Sequence, residues 1–281
     1  GQGRIPDRLS TESDLSARLL DRAEKAGLSL ARWIEQGRTD RLAMTDAAQP
    51  LLFLESLDQA ARLRAAGWKP IWTAGHSLGE YAALVEAGVL DAASAMEIVL
   101  ARGRLMQGIP GSMAAILKLD WDTVSSLCEG LDVVPANHNG PRQVVVSGSA
   151  TAVQQAVLRA EQRGGRGIPL AVSGPFHSPH MAPAQAALAP LLQRLEYAPP
   201  RIGFVSSTDG EAVFSPDEIR RRLLHQITSP VRWADVLGTL KERGVTKAIE
   251  VGQGSILTEI GRRSGTAIQF LTSEEALHEK V

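Results

Sequence analysis

The feature that most constrains this chain is a serine between two glycines, in the segment GHSLG at positions 75–79. A short apolar run, 70–74, precedes the segment, and a helix-like stretch, 80–87, follows it. A serine at a strand-to-helix turn is typical of a nucleophile elbow, where the glycines leave room for a sharp turn that projects the hydroxyl. The plainer interpretation is a glycine-rich turn whose serine caps the helix. Ser77 is therefore the first candidate for chemistry.

Strand-like and helix-like segments alternate along most of the chain. Apolar residues recur near helical spacing within 9–66, Asp91 precedes a helix that extends to about Gln107, and strands alternate with helices again after residue 201. Alternation of this kind predicts an α/β fold with a parallel sheet covered by helices. We expect a large domain of the α/β-hydrolase type.

Residues 112–173 show a different order of elements. Strands are predicted at 113–117, 132–136, 143–147 and 167–171, with helices at 121–128 and 150–162. The order βαββαβ is that of a ferredoxin-like unit. We predict a small domain, 112–173, inserted into a large domain formed by 1–111 and 174–281. The segment 137–141 is interpreted as the hairpin between the middle strands; its amides could also meet a substrate, but turn formation is favoured.

Arg102 lies on the apolar stripe of the helix that ends near Gln107. Apolar residues at helical spacing surround it, so its side chain is expected to face inward. Desolvating an unpaired charge is costly, so the guanidinium must meet either a carboxylate of the protein or an anionic ligand. The pattern alone leaves both alternatives open.

His177 follows Gly174 and Pro175 and precedes Pro179 in a loop. Prolines restrict the backbone, which suits a histidine that must stay in one place. His177 is therefore the candidate base, although a loop histidine is more often a solvated or packed residue.

Composition narrows the function classes. The 281 residues are 44% hydrophobic, and 30 basic side chains nearly balance 31 acidic ones. Nothing in this balance indicates a nucleic acid or a membrane as partner, so we expect a small substrate. The lone cysteine, Cys128, suits a reducing cytoplasm and is predicted to be a core residue. We also expect an apolar strand to precede Gly1, and any role of Gln2 depends on it.

Five segments together resemble the malonyl-CoA:acyl carrier protein transacylases of fatty acid synthesis and the related acyltransferase domains of polyketide synthases. The matching segments are GQG at 1–3, GHSLGE at 75–80, RGRLMQ at 102–107, GPFHS at 174–178, and Gln226 with PVRW at 230–233. The resemblance covers nearly the whole chain and includes the ferredoxin-like insert. One departure is Arg4-Ile5, which stands where the family usually has Ser-Gln.

The resemblance implies a role for each matching site residue. Ser77 would be the nucleophile and His177 its base, oriented by a backbone carbonyl at Gln226 rather than by an aspartate. The backbone N–H groups of Leu78 and Gln2 would form the oxyanion hole. Substrate binding is assigned to three further side chains: Arg102, which would hold the malonyl carboxylate, His76 and Phe176. A phenylalanine in this place goes with malonyl and a serine with methylmalonyl, although Phe176 could also merely pack the domain interface.

The implied reaction is ping-pong transfer of malonyl from malonyl-CoA to acyl carrier protein through an acyl-serine, without a metal or organic cofactor. The protein is expected to be a cytoplasmic monomer. Because acyl carrier protein is acidic, basic side chains near the cleft could steer it towards the site. The candidates are Arg142, Arg220, Arg221 and Arg222. The more ordinary interpretation is that these four are solvated surface charges. Two rival hypotheses are an α/β-hydrolase esterase or thioesterase, which would use a late histidine such as His225 or His278, and a catalytically dead carrier-protein docking module.

Overall fold

A computed structural model describes residues 14–172, 174–252 and 254–279. Gln2, predicted to supply an oxyanion-hole amide, lies outside the described residues. Among the residues that are described, no helix combines the length and the apolar character that crossing a bilayer requires.

The described chain from residue 14 to residue 65 is helical. Within that range lie α1 (Asp14–Lys25), α2 (Leu30–Glu35), α3 (Thr39–Leu42) and α4 (Thr45–Ala65). The long helix α4 begins at Thr45 and contains Pro50. Leu51 and Phe53 of α4 belong to the largest apolar core, which also includes α1.

The elbow segment lies between a short strand and two helices. These elements are β1 (Trp72–Ala74), α5 (Gly79–Glu86) and α6 (Ala92–Gln107). The Asp91 side chain accepts hydrogen bonds from the backbone N–H groups of Ala93 and Ser94, so it caps α6 as predicted. Both helices bury apolar faces in the core shared with α4, and this packing fixes the orientation of the turn at Ser77.

The middle of the chain forms a four-stranded antiparallel sheet. Its elements in chain order are β2 (Ser112–Leu117), α7 (Trp121–Cys128), β3 (Val133–Gly140), β4 (Gln143–Gly148), α8 (Ala150–Gln162) and β5 (Arg166–Pro169). The strands lie in the order β3-β4-β2-β5. A separate apolar cluster, which includes Ile116, Val144 and the buried Cys128, fills the space between this sheet and its helices.

The interpretation of 137–141 as a hairpin is wrong for most of that segment. Residues 137–140 continue β3, and the turn falls at Pro141 and Arg142. Residues 137–140 stay paired with β4 through two register shifts, which leaves only a two-residue turn. The outer edge of β3 also gains a distant partner: His138 N–H donates to Val231 O at 2.8 Å, and Val231 N–H donates to Ala136 O at 2.8 Å. These bonds join the antiparallel sheet to the rest of the fold.

The remaining chain returns to helices and parallel strands. After a short 3₁₀ turn, Pro179–Met181, the elements are α9 (Ala182–Arg194), β6 (Gly203–Val205), α10 (Pro216–His225), α11 (Trp233–Glu242), β7 (Lys247–Glu250), α12 (Ile256–Arg262), β8 (Gln269–Thr272) and α13 (Ser273–His278). β1 pairs in parallel with β6, and β7 pairs in parallel with β8. The elbow therefore follows the carboxyl end of a parallel strand, where α/β folds commonly place their sites.

Candidate active site

The turn at Ser77 has the strained backbone of a nucleophile elbow. Ser77 has a φ of 54°, in the left-handed region that non-glycine residues rarely adopt. A Cβ added to Gly75 would lie 2.0 Å from Gly79 C, so only glycine fits there, whereas a Cβ at Gly79 would meet no atom within 4 Å. The expectation that both glycines make room for the turn is therefore correct for Gly75 alone.

His177 contacts the Ser77 hydroxyl and is held from behind by backbone carbonyls. Ser77 Oγ lies 2.7 Å from His177 Nε2. His177 Nδ1–H donates to Gln226 O at 3.0 Å and to Ser229 O at 3.0 Å. Because carbonyls can only accept, the proton resides on Nδ1, and Nε2 is free to accept the serine proton.

Burial keeps His177 neutral. Its side chain is only 3% exposed, and desolvation together with the nearby positive charge of Arg102 lowers the pKa of His177 to about 4. A neutral imidazole with its Nε2 lone pair directed at a hydroxyl is the form that a general base requires. His177 also has a φ of 59°, so its placement is imposed by the surrounding loop.

Arg102 lies against the same hydroxyl. Its Nη2 donates to Ser77 Oγ at 2.9 Å, and its Nη1 donates to Gln49 Oε1 at 2.7 Å. The side chain is 2% exposed, and its Nε has no hydrogen-bond partner. Within the part of the chain that the structure describes, no carboxylate forms an ion pair with this guanidinium. Of the two alternatives that the sequence left open, the geometry favours an anionic ligand.

A buried polar pair flanks the elbow on the side of the antiparallel sheet. His76 Nε2–H donates to Asn139 Oδ1 at 2.9 Å, and the His76 ring packs against Trp233 with centroids 5.6 Å apart. Burial lowers the pKa of His76 to about 3, so this ring is neutral as well. Asn139 lies in the segment that was interpreted as a turn.

A second buried cluster lies behind the elbow. Gln226 Nε2 donates to Ser77 O at 3.1 Å and to Glu80 Oε2 at 2.6 Å, and Tyr81 Oη donates to Gln226 Oε1 at 3.3 Å. Burial raises the pKa of the Glu80 carboxyl, and hydrogen bonds from Gln226 and from two serines oppose that rise.

The elbow faces a cavity of about 700 Å³, and His177 is among the residues that line it. Ser77 and Arg102 lie in its wall together with residues of the antiparallel sheet, including Asn139. Phe176 also lines the cavity, and it packs in an apolar cluster with Met113. Both interpretations of Phe176, as a cavity wall and as packing between parts of the fold, therefore agree with its position.

The arrangement is suited to acyl transfer. An accepting imidazole and a positive charge each lie within hydrogen-bonding distance of one hydroxyl. The Leu78 N–H, at the start of α5, has no acceptor among the described residues, and a helix amino terminus favours negative charge.

Comparison with known proteins gives the family. A family model described as the acyl transferase domain matches residues 9–277. The chain belongs to the acyl transferase family. A relative of this acyl transferase, the malonyl CoA-acyl carrier protein transacylase of Haemophilus influenzae, is 37% identical over 267 residues, covering 91% of this chain and 86% of that protein.

Solved structures resemble this acyl transferase over nearly its whole length. The acyl-carrier-protein S-malonyltransferase of Burkholderia pseudomallei has a TM-score of 0.90 at 32% identity, covering 99% of this chain and 95% of that one. A malonyl-transacylase, PlMCAT, in complex with the type II PKS acyl-carrier protein AntF has a TM-score of 0.86 at 32% identity, covering 96% of this chain and 93% of that one. The predicted α/β fold is confirmed.

The structure of the acyl transferase brings most of the predicted site residues together. Ser77, His177 and Arg102 form one hydrogen-bonded group, and Gln226 supplies a carbonyl to the histidine. Sequence reasoning missed several partners of these residues: Gln49, Glu80, Asn139, Ser229 and Trp233. Glu80 and Trp233 lie in matching segments and Asn139 in the predicted hairpin, but no pattern in the sequence signalled what each of the five would contact.

Proposed function

We propose that this acyl transferase moves a malonyl group from malonyl-CoA to the phosphopantetheine thiol of acyl carrier protein. The observation that carries this proposal is a buried guanidinium in direct contact with the candidate nucleophile, with an N–H that has no protein acceptor. In a malonyl thioester a carboxylate lies two bonds from the reactive carbonyl carbon. A carboxylate on Arg102 would therefore place that carbon beside Ser77 Oγ.

In the first half-reaction Ser77 Oγ attacks the thioester carbonyl carbon while His177 Nε2 takes the hydroxyl proton. The Leu78 N–H, together with the Gln2 N–H outside the described residues, would stabilise the resulting oxyanion. The carbon–sulfur bond then breaks, and the CoA thiolate leaves with the proton from His177 Nε2. The product is a malonyl ester of Ser77.

In the second half-reaction the thiol of the carrier protein's phosphopantetheine arm gives its proton to His177 and attacks the ester carbonyl. The ester bond to Ser77 breaks, the serine recovers the proton, and the malonyl group leaves as a thioester. The carbonyls of Gln226 and Ser229 keep the imidazole proton on Nδ1 in both steps.

We further propose the predicted division into domains. Residues 112–173 would form the inserted ferredoxin-like domain, supported by the strand order β3-β4-β2-β5 and by an apolar cluster of their own. Residues 1–111 and 174–281 would form the α/β-hydrolase-like domain. His76 and Phe176 would contact the acyl group from the cavity wall.

The partner of this reaction is inferred from the chemistry and from the related malonyl-transacylase that was solved with a carrier protein. Arg220, Arg221 and Arg222 all form ion pairs with nearby acidic residues, so their steering of an acidic carrier stays a prediction. The cytoplasmic location and the monomeric state also stay predictions.

Exposure to a panel of acyl-CoAs, followed by intact-mass measurement, tests the proposal. The expected result is addition of one malonyl group, absent in Ser77→Ala, with transfer to added carrier protein. Sustained CoA release without carrier protein would indicate a thioesterase instead. That rival lacks geometric support, because His225 contacts Gln185 and not Ser77. Failure of Ser77 to become acylated would favour a docking module.

A further inference from the structure

A buried carboxylate lies directly behind the elbow and takes no part in the steps above. Glu80, in the first turn of α5, is 1% exposed. It accepts hydrogen bonds from Ser206 Oγ at 2.8 Å, Ser207 Oγ at 2.8 Å, Ser207 N at 3.3 Å and Gln226 Nε2 at 2.6 Å. The carboxylate therefore joins α5, the loop after β6 and the end of α10.

The donors around Glu80 fit a carboxylate and not a neutral amide. The Ser207 backbone N–H and the Gln226 amide N–H can only donate, and they address different oxygens of Glu80. A side chain with a donor at either oxygen position would face another donor. Losing one partner in a buried network of this kind is costly, because the remaining group stays desolvated.

The cluster connects to the candidate base through one residue. The Gln226 side chain is held between Glu80 Oε2 and Ser77 O, while the backbone carbonyl of Gln226 accepts from His177 Nδ1. Because the side chain and the carbonyl belong to one residue just beyond α10, fixing the side chain also fixes the direction of the carbonyl.

We propose that Glu80 is a positioning residue: it anchors Gln226 and thereby holds the His177 imidazole against the Ser77 hydroxyl. This inference rests on the proposed function, since it assigns Glu80 to the same acylation step. It differs from a merely structural role, in which Glu80 would stabilise the junction of three segments and leave the orientation of His177 unchanged.

Glu80→Gln tests the proposal with little change of shape. An amide nitrogen at the Oε2 position would face Gln226 Nε2 across 2.6 Å, and one at the Oε1 position would face the Ser207 N–H across 3.3 Å, so either orientation weakens the network that holds Gln226. Since displacing a reacting group by about 1 Å can cost on the order of 100-fold in rate, we expect malonylation of Ser77 to slow by about 10- to 100-fold. The rate is measured by rapid quenching and intact mass.

Two further readouts separate positioning from a structural role. Gln226→Ala keeps the carbonyl but removes the anchored side chain, so the double variant with Glu80→Gln should be no slower than the slower single variant. Nitrogen NMR of His177 should report a fixed Nδ1–H tautomer in the unsubstituted protein and a mixture in Glu80→Gln. Multiplicative rate losses with an unchanged tautomer would overturn the proposal.

The matched control is Glu55→Gln, which neutralises another buried carboxylate, on α4, outside the cavity wall. We expect its malonylation rate to equal that of the unsubstituted protein, and an equal slowing in both variants would refute the proposal.

If Glu80→Gln does not fold, Glu80→Asp takes its place, because it keeps the charge but shortens the reach to Gln226. The same slowing is expected, and an unchanged rate would refute the proposal. If the unsubstituted protein is not malonylated, the proposed function itself fails.

Discussion

Replacing Arg102 should change which acyl group the enzyme accepts. In Arg102→Ala the cavity loses the only charge that touches Ser77 Oγ among the described residues, and with it the donors available to a substrate carboxylate. We expect acylation by malonyl-CoA to fall steeply, whereas acylation by acetyl-CoA is retained or rises because an acetyl group no longer leaves a buried guanidinium unpaired.

The structure sets the size of the effect. Arg102 directs one N–H to Gln49 and one to Ser77, so three of the five guanidinium N–H groups remain, and a carboxylate can take two of them. Charge-assisted hydrogen bonds contribute about 1.5–3 kcal/mol each. A loss of about 3 kcal/mol from the two bonds together corresponds to roughly a 100-fold fall in the kcat/KM for malonyl-CoA. Removal of the buried side chain also weakens packing, but that loss acts equally on both substrates.

The assay is therefore the ratio of the rates at which malonyl-CoA and acetyl-CoA acylate Ser77, measured by rapid quenching and intact mass. Arg102→Lys is the matched variant, since an ammonium keeps the charge but cannot bind a carboxylate in the planar bidentate manner. It should lie between the unsubstituted protein and Arg102→Ala. If both acyl groups lose the same factor in Arg102→Ala, the guanidinium is structural and the proposed selectivity is refuted.

Three further predictions concern the elbow and its neighbours. The pKa of His177 is lowered to about 4 in the folded protein, so between pH 6.5 and about 4 the unfolded chain binds a proton at His177 that the folded protein does not. The free energy of unfolding should therefore fall as pH drops through this range. In His177→Gln the denaturant midpoint should depend less on pH in the same range. Gly75→Ala should destabilise the fold by about 1–3 kcal/mol or more in thermal unfolding, because its Cβ would overlap the backbone of Gly79. Gly79→Ala is the control, because a Cβ there meets no atom within 4 Å. An equally low unfolding midpoint for both variants would contradict the reasoning. Asn139→Ala should lower the free energy of unfolding by about 1–3 kcal/mol, because it leaves the buried N–H of the His76 ring unpaired. The control is Asn137→Ala, which should lower it less in the same measurement because Asn137 Oδ1 has no partner.

Local patterns predicted most helices well because helix signals are local. Asp91 and the apolar spacing gave the bounds of α6 to within a residue, and α7 and α8 match their predicted ranges. Residues 137–140 were misread because asparagine and glycine favour turns, whereas here they stay paired with β4 through two register shifts and gain bonds from Val231, far along the chain. Neither an irregular register nor a distant backbone partner leaves a mark in a short window of sequence.

The site residues also fall into two groups, those predicted from local sequence and those whose contacts depend on tertiary packing. Ser77 lies in a motif whose local geometry carries the chemistry, so its strained turn could be anticipated. The burial of Arg102 followed from helical periodicity, but its contact with Gln49 depends on how α6 packs against α4. Likewise, Glu80 was visible as a residue after the elbow, yet only the meeting of three separate segments gives it four donors.

The Arg102 charge links the pairing of a substrate carboxylate to the basicity of His177. Burial and, after it, the Arg102 charge lower the pKa of His177, so this histidine is a weak base beside a guanidinium that has no carboxylate partner among the described residues. A substrate carboxylate that pairs with Arg102 cancels part of that charge, and the basicity of His177 rises as the acyl group arrives. An acyl group without a carboxylate leaves the base weak. On the proposed function, one guanidinium would favour the malonyl group in two ways, by binding its carboxylate and by depressing the pKa of His177 less once it is paired.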